Sequence, residues 1–306
     1  MDIQGFRKVV ERLAENASSW GNNILYDMAK NSDLANAEQL AGAMWLIGTS
    51  YSASPQRRSY KSWMVRPNND GRGQFFDQVA KHLKEDAALP NLQENIGTFQ
   101  FDKSDNDIEI LKQSIELVLQ FDACLCKAIE KFDGATDKDV CTHHISFCSK
   151  FLHFYHPHSV FIIDRFALQG GQDLFSRKKG IYICDPENDH SYNPLYAQQD
   201  CFDDSLGKTF QASAVKKYVE KVKENLPSQL VEAGDAYIPH CVRSYLLGCW
   251  LKNQGIPLGK QTSIPRLADT VFLNLKAPLP QATYESNGKP KNERAILEAF
   301  RLQLGK

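Results

Sequence analysis

The chain has 306 residues, enough for one large or two medium domains with a proper core. Hydrophobic content of 42% and charged content of 24% are ordinary for a globular protein, and no apolar run approaches the ~18 residues needed to span a bilayer. Lys+Arg 36 against Asp+Glu 37 gives a net charge of −1, which excludes a bulk polycation but not a local basic groove.

The opening stretch, MDIQGFRKVVERLAENASS, is amphipathic with mixed charge and does not read as a secretory signal. The eight cysteines are scattered and form no short framework, so the expectation is a cytoplasmic chain with reduced thiols.

Residues 2–17 read as a helix with Ile3, Phe6, Val10 and Leu13 on one face. Residues 24–30 read as a second, short helix. Asn36 to Gln39 has the pattern of a capping box, and Leu40, Met44, Ile47 and Tyr51 then recur at helical spacing up to Ser54-Pro55. The next stretch, SPQRRSYKSWMVRPNNDGRGQ, carries Arg57, Arg58, Lys61, Arg66 and Arg72 against the single acid Asp70, with Tyr60 and Trp63 interleaved. Arginine and lysine neutralise phosphates and aromatic faces stack on unpaired bases. A solvated basic loop is the equal alternative. Residues 75–83 form another helix, and a polar connection runs past Pro90 and Gly97. Residues 105–131 give the longest helical pattern, with Ile108, Leu111, Ile115 and Val118 on one stripe, ending at Asp133-Gly134. Thr136 is positioned to cap the helix that follows.

The stretch SFCSKFLHFYHPHSVFIIDR, residues 146–165, organises the rest. Phe147, Phe151 and Phe154 share one helix face, and His156-Pro157-His158 ends that helix because a residue before proline avoids the α region. Four apolar residues, Val160 to Ile163, then deliver Asp164, which can N-cap a helix starting at Arg165. A carboxylate presented this way, with Lys150 upstream, can act on a sugar. The plain alternative is a capping Asp and a surface Lys.

Cys141, His143, His144, Cys148, His153, His156 and His158 are possible metal ligands. Their spacing lacks the compact paired Cys and His arrangement of structural zinc, so they read as packed side chains or polar contacts and no metal or cofactor is expected. Residues 177–208 look like an irregular, polar insertion containing Tyr182, Tyr192 and Tyr196. Helices return over 212–225, 236–252 and 263–276, and the tail ends in a short helix with a basic lead-in. There is no Walker loop, no G-x-S-x-G and no dinucleotide fingerprint. The fold class expected is mostly α, with N-terminal and C-terminal helices flanking a cleft.

Helix, turn, apolar run and terminal Asp164 resemble the catalytic segment of the helix-hairpin-helix DNA glycosylase superfamily. More narrowly, SKFLHFYHPHSVFIIDRFA, WLIGTSYSASPQRR upstream and IPRLADTVFL downstream resemble bacterial 8-oxoguanine-DNA-glycosylase-like proteins. The superfamily's glycine-rich hairpin is replaced by TDKDVCTHHISFCSK, and a gapless match puts Ser146, not a lysine, at the superfamily's lysine position. The resemblance implies a helical bundle of two lobes around a cleft. It divides the chain into 1–104, with the basic and aromatic stretch, and 105–306, with a catalytic segment at 136–176 and the C-terminal helices.

The chemistry implied is flipping of a damaged or modified base and hydrolysis of its N-glycosidic bond, leaving an abasic site. Cleavage builds positive charge on the sugar, which a nearby carboxylate stabilises. Asp164 fills that role, with Lys150 beside it. Arg57, Arg58, Lys61, Arg165 and Ser146 are expected at the DNA backbone. Tyr51, Tyr60, Trp63, Tyr155 and His156 are expected at the base pocket, whereas Trp45 and Phe154 fit core packing better. The partner expected is double-stranded DNA, and similar glycosylases act against phages by removing modified bases from invading DNA. Two other classes compete: a non-catalytic nucleic-acid-binding module of the same fold, and a helical protein-interaction scaffold in which Asp164 only caps.

Overall fold

A computed structural model of the chain describes residues 2–16, 20–51, 53, 55, 71–133, 143–176, 181–184, 204–224, 226–258, 263–276, 284–291 and 295. The described residues are mostly helical. In chain order they form α1 (Ile3–Asn16), α2 (Trp20–Asn31), α3 (Ala37–Ser50), α4 (Gly71–Glu85), α5 (Asp105–Asp133), α6 (Ile145–Tyr155) and α7 (Arg165–Phe175). A two-residue strand β1 (Tyr182–Ile183) follows, then α8 (Asp204–Thr209), α9 (Ala212–Lys223), α10 (Ser228–Ala233), α11 (Tyr237–Asn253), α12 (Ile264–Asn274) and β2 (Leu275–Lys276). β1 and β2 pair antiparallel, Tyr182 opposite Lys276 and Ile183 opposite Leu275.

The centre of the fold is α11. It is buried on nearly every side from Tyr237 to Leu251, as a helix without a polar face must be. α5, α7, α9 and α12 pack around it, while α6 lies against α2, α3 and α5. One apolar core runs from Phe6 in α1 to Leu275 in β2. Buried Asp107 ties the connection before α5 to this centre. Its carboxylate accepts from the backbone N–H of Gln100 (2.8 Å) and Asp102 (3.0 Å) and from the Tyr245 hydroxyl (3.1 Å). These bonds hold Phe101 and Lys103 in the left-handed region, at φ 56° and 65°.

Gly170 decides how α7 meets α12. A Cβ there would run into the carbonyl oxygen of Phe272, so only glycine permits the two backbones to touch. That contact lets the beginnings of the two helices share one cluster of charged side chains.

Several local expectations change. α2 starts four residues and α4 four residues before their expected first positions, at Trp20 and Gly71. The capping box is half formed. Asn36 Oδ1 accepts from the N–H of Glu38 (2.8 Å) and Gln39 (3.2 Å), but Gln39 Oε1 takes the N–H of Asp33 (2.6 Å) instead of that of Asn36. α6 begins at Ile145 with His144 at its N-cap, and Thr136, expected to cap the helix leading into this segment, lies outside the described residues. Within the expected irregular insertion, β1 and α8 form and bury Ile181, Ile183 and Leu206. Tyr192, Tyr196 and all of the tail helix except Ala295 lie outside the described residues.

Candidate active site at the start of α7

The run Val160 to Ile163 is non-helical and buried, and each of its residues has a backbone group held by a side chain from a neighbouring helix. Val160 O accepts from His153 Nδ1 at 2.8 Å, and Ile163 N–H donates to Ser149 Oγ at 3.2 Å, both side chains coming from α6. Phe161 O accepts from the Tyr237 hydroxyl at 3.0 Å and Ile162 O from His240 Nε2 at 2.8 Å, both from α11. A carbonyl only accepts, so His153 carries its proton on Nδ1 and its Nε2 accepts from the Tyr26 hydroxyl at 2.8 Å. Burial pushes His153 down to about 3 and His240 down to about 4, so both are neutral imidazoles. Asp164 is thus delivered on a backbone clamped from two sides.

Asp164 does cap the helix that follows. Its Oδ1 accepts from the N–H of Phe166 and of Ala167, each at 2.9 Å, from an extended residue at φ −138°. That leaves Oδ2 turned toward Lys150, whose Nζ is 4.0 Å away. Lys150 is not a surface lysine: its side chain is 8% exposed, against 24% for Asp164. Burial holds Lys150 below the usual lysine value, and the carboxylates of Asp164 and Asp269 pull it back up. Its ammonium also donates to Ser146 Oγ at 3.5 Å and lies 5.7 Å from the centre of the Tyr51 ring.

A second ion pair completes the cluster. On α12, Arg266 Nη1 donates to Asp269 Oδ2 at 2.7 Å, and the Arg266 guanidinium lies 5.9 Å from the Tyr51 ring centre. Asp269 is 3% exposed. Burial pushes its carboxyl up to about 6, Arg266 opposing and Asp164 adding to the rise. Asp269 Oδ1 and Arg266 Nε are buried without a hydrogen-bond partner among the described residues. Burial also raises the Tyr51 hydroxyl. Two acids and two bases therefore form one cluster beside the Tyr51 ring, with Lys150 and Asp269 buried and Asp164 partly open to water, and fixed charges held there act strongly on charge developing in a ligand.

Tyr51, Lys150, Asp164, Arg266 and Asp269 come from the three stretches that carried the sequence resemblance, and they meet at one point. Arg266 and Asp269 were not singled out as site residues. Their signal was an Arg and an Asp at i, i+3 inside an otherwise apolar helix. Tyr26, Ser149, Tyr237 and His240 were also missed, and nothing short-range in the sequence marks them.

Other expected site residues lie elsewhere. Arg165 is exposed at the first position of α7. Tyr155 and His156 are not brought to the carboxylate. The Tyr155 hydroxyl bonds Ser32 Oγ at 2.9 Å, and His156 Nε2 donates to Leu92 O at 2.8 Å. Tyr155, five positions beyond Lys150 at ~100° each, falls on another side of α6, and His156 lies past the end of that helix. Phe154 is core, between Tyr26 (4.9 Å between ring centres) and Tyr51 (5.7 Å), whereas Trp45, expected in the core, is 48% exposed on α3. Arg57, Arg58, Tyr60, Lys61 and Trp63 lie outside the described residues. No helix among the described residues is long and apolar enough to cross a membrane.

Comparison of the chain with protein-family models, curated proteins and solved structures gave no match in any of the three.

Proposed function

We propose that the chain is a DNA glycosylase of the helix-hairpin-helix type, which flips a damaged or modified base from duplex DNA and hydrolyses its N-glycosidic bond. The observation that carries this reading is Asp164: clamped backbone, one carboxylate oxygen fixed by α7, and the other turned toward Lys150. Bond breaking leaves positive charge on the deoxyribose, and a carboxylate that need not reorganise stabilises it and orients a water at C1′. The enzyme is monofunctional. Lys150 serves as an ammonium paired with Asp164 and not as the amine that attacks the sugar. Ser146, at the position the superfamily gives to its lysine, lies beside that ammonium.

Tyr51, flanked by Lys150 and Arg266, forms one wall of the base pocket, with Asp269 behind Arg266. Arg165, together with Arg57, Arg58 and Lys61, contacts phosphates. The resemblance supports two roles, repair of oxidised guanine and removal of modified bases from phage DNA.

The test is an abasic-site assay on duplexes carrying different damaged bases and on modified phage DNA. Alkali-labile sites in at least one substrate support the reading. DNA binding without abasic product reduces the protein to a non-catalytic DNA-binding module, and no binding at low salt makes it a protein-interaction scaffold.

A further inference from the structure

We infer that Asp122, Cys126 and His143 form a zinc site that fastens the start of α6 to α5. Asp122 and Cys126 stand at i, i+4 on α5 and so share one face. His143 comes to that face from the segment before α6, and one donor atom from each of the three residues lies within 4.8 Å of the others. Thiolate, imidazole and carboxylate together are a zinc donor set, and a thiolate disfavours magnesium or calcium.

The burial pattern fits a three-ligand site with an open fourth position. The Asp122 side chain is 1% exposed and Cys126 is buried, while the His143 side chain is 57% exposed. Buried carboxylates are paired or coordinate metals. Here Asp122 Oδ2 is paired with His143 Nδ1 at 2.7 Å. Donors on one tetrahedral zinc stand roughly 3.3–3.8 Å apart, so the 2.7 Å Asp122–His143 contact must open and the widest gap must close by up to ~1 Å on binding. On binding, the Cys126 thiol releases its proton to water. The imidazole stays neutral, its proton moving from Nδ1 to the solvent-facing Nε2. Water takes the fourth position.

The other oxygen of Asp122 already has a structural task. Oδ1 accepts from the N–H of His144 at 2.5 Å, and the His144 side chain makes no capping bond of its own. Asp122 therefore caps α6 from α5. A zinc ion on its second oxygen would fix the entry of the helix that carries Ser146 and Lys150, where this chain lacks the glycine-rich hairpin. The inference does not depend on whether Asp164 cleaves a base.

The experiment uses the full chain, saturated with zinc, dialysed and analysed for metal by mass spectrometry, with a parallel cobalt substitution. One zinc per chain is expected, together with tetrahedral cobalt d–d bands and a thiolate-to-cobalt charge-transfer band. Zinc should also raise the melting temperature. All of these signals should be lost in Cys126→Ser and in His143→Ala, the second variant altering an exposed side chain that the core does not need. Absence of retained zinc, cobalt bound without the thiolate band, or metal content unchanged in both variants would overturn the site and leave Asp122–His143 as a hydrogen-bonded pair alone.

Discussion

Asp164 divides its carboxylate: Oδ1 is tied to two backbone N–H groups of α7, and Oδ2 stands 4.0 Å from Lys150 Nζ. Capping and chemistry are therefore not alternatives at this residue. The cap fixes the orientation of the group, and the free oxygen is what remains for a ligand.

The two tasks separate on substitution. Asparagine caps as well as aspartate, so Asp164→Asn should leave stability nearly unchanged, whereas Asp164→Ala should cost about 0.5–2 kcal/mol in denaturant unfolding. An Asn variant as unstable as the Ala variant would mean that pairing with Lys150, not the cap, holds the residue.

Lys150 is buried beside a carboxylate, so it is expected to remain an ammonium that supports Asp164. Lys150→Met should slow base release without abolishing it, and borohydride should trap no protein–DNA adduct. An adduct that disappears in Lys150→Ala would make Lys150 the attacking amine.

Asp269 gives a pH signature. Burial raises its folded pKa from the ordinary carboxylate range to about 6, so between those values the folded state holds a proton that the unfolded state has released. Stability contributed by Asp269 is therefore greatest below the unfolded value, declines as pH rises to about 6, and is level above it. Arg266 stays charged throughout, so its loss of partner in Asp269→Asn is a constant offset. The melting-temperature difference, wild type minus Asp269→Asn, should fall between pH 4 and 7. A difference that grows with pH would show that Arg266 outweighs burial.

Tyr237 tests the clamp behind Asp164. Tyr237→Phe leaves the buried Phe161 carbonyl without its 3.0 Å partner, a loss of about 1–3 kcal/mol. On the proposed function, base release should drop more than DNA affinity, because Asp164 loses its fixed position while the residues proposed to hold phosphates are untouched. Equal losses in both would assign Tyr237 to stability alone.

Local patterns carried the elements and the heart of the site. Periodicity marked α1 and α5, and Pro157, the apolar run and Asp164 marked the turn and the cap of α7. What stayed hidden depends on contacts distant in sequence. Tyr237 and His240 reach carbonyls 76 and 78 residues away, and the need for glycine at 170 appears only where α12 crosses. Arg266 and Asp269 are an i, i+3 pair in the sequence, and their burial depends on what packs against α12. Gln39 had two N–H groups within reach, and spacing alone could not say which it would take.

The most direct test of the account compares wild type and Asp164→Asn on the DNA that wild type depurinates or depyrimidinates, measuring abasic sites and DNA binding in the same samples. Wild type should generate abasic sites, and the Asn variant should bind the same DNA with nearly the same affinity and generate none. Base release at the wild-type rate by the Asn variant would contradict Asp164 as the catalytic carboxylate.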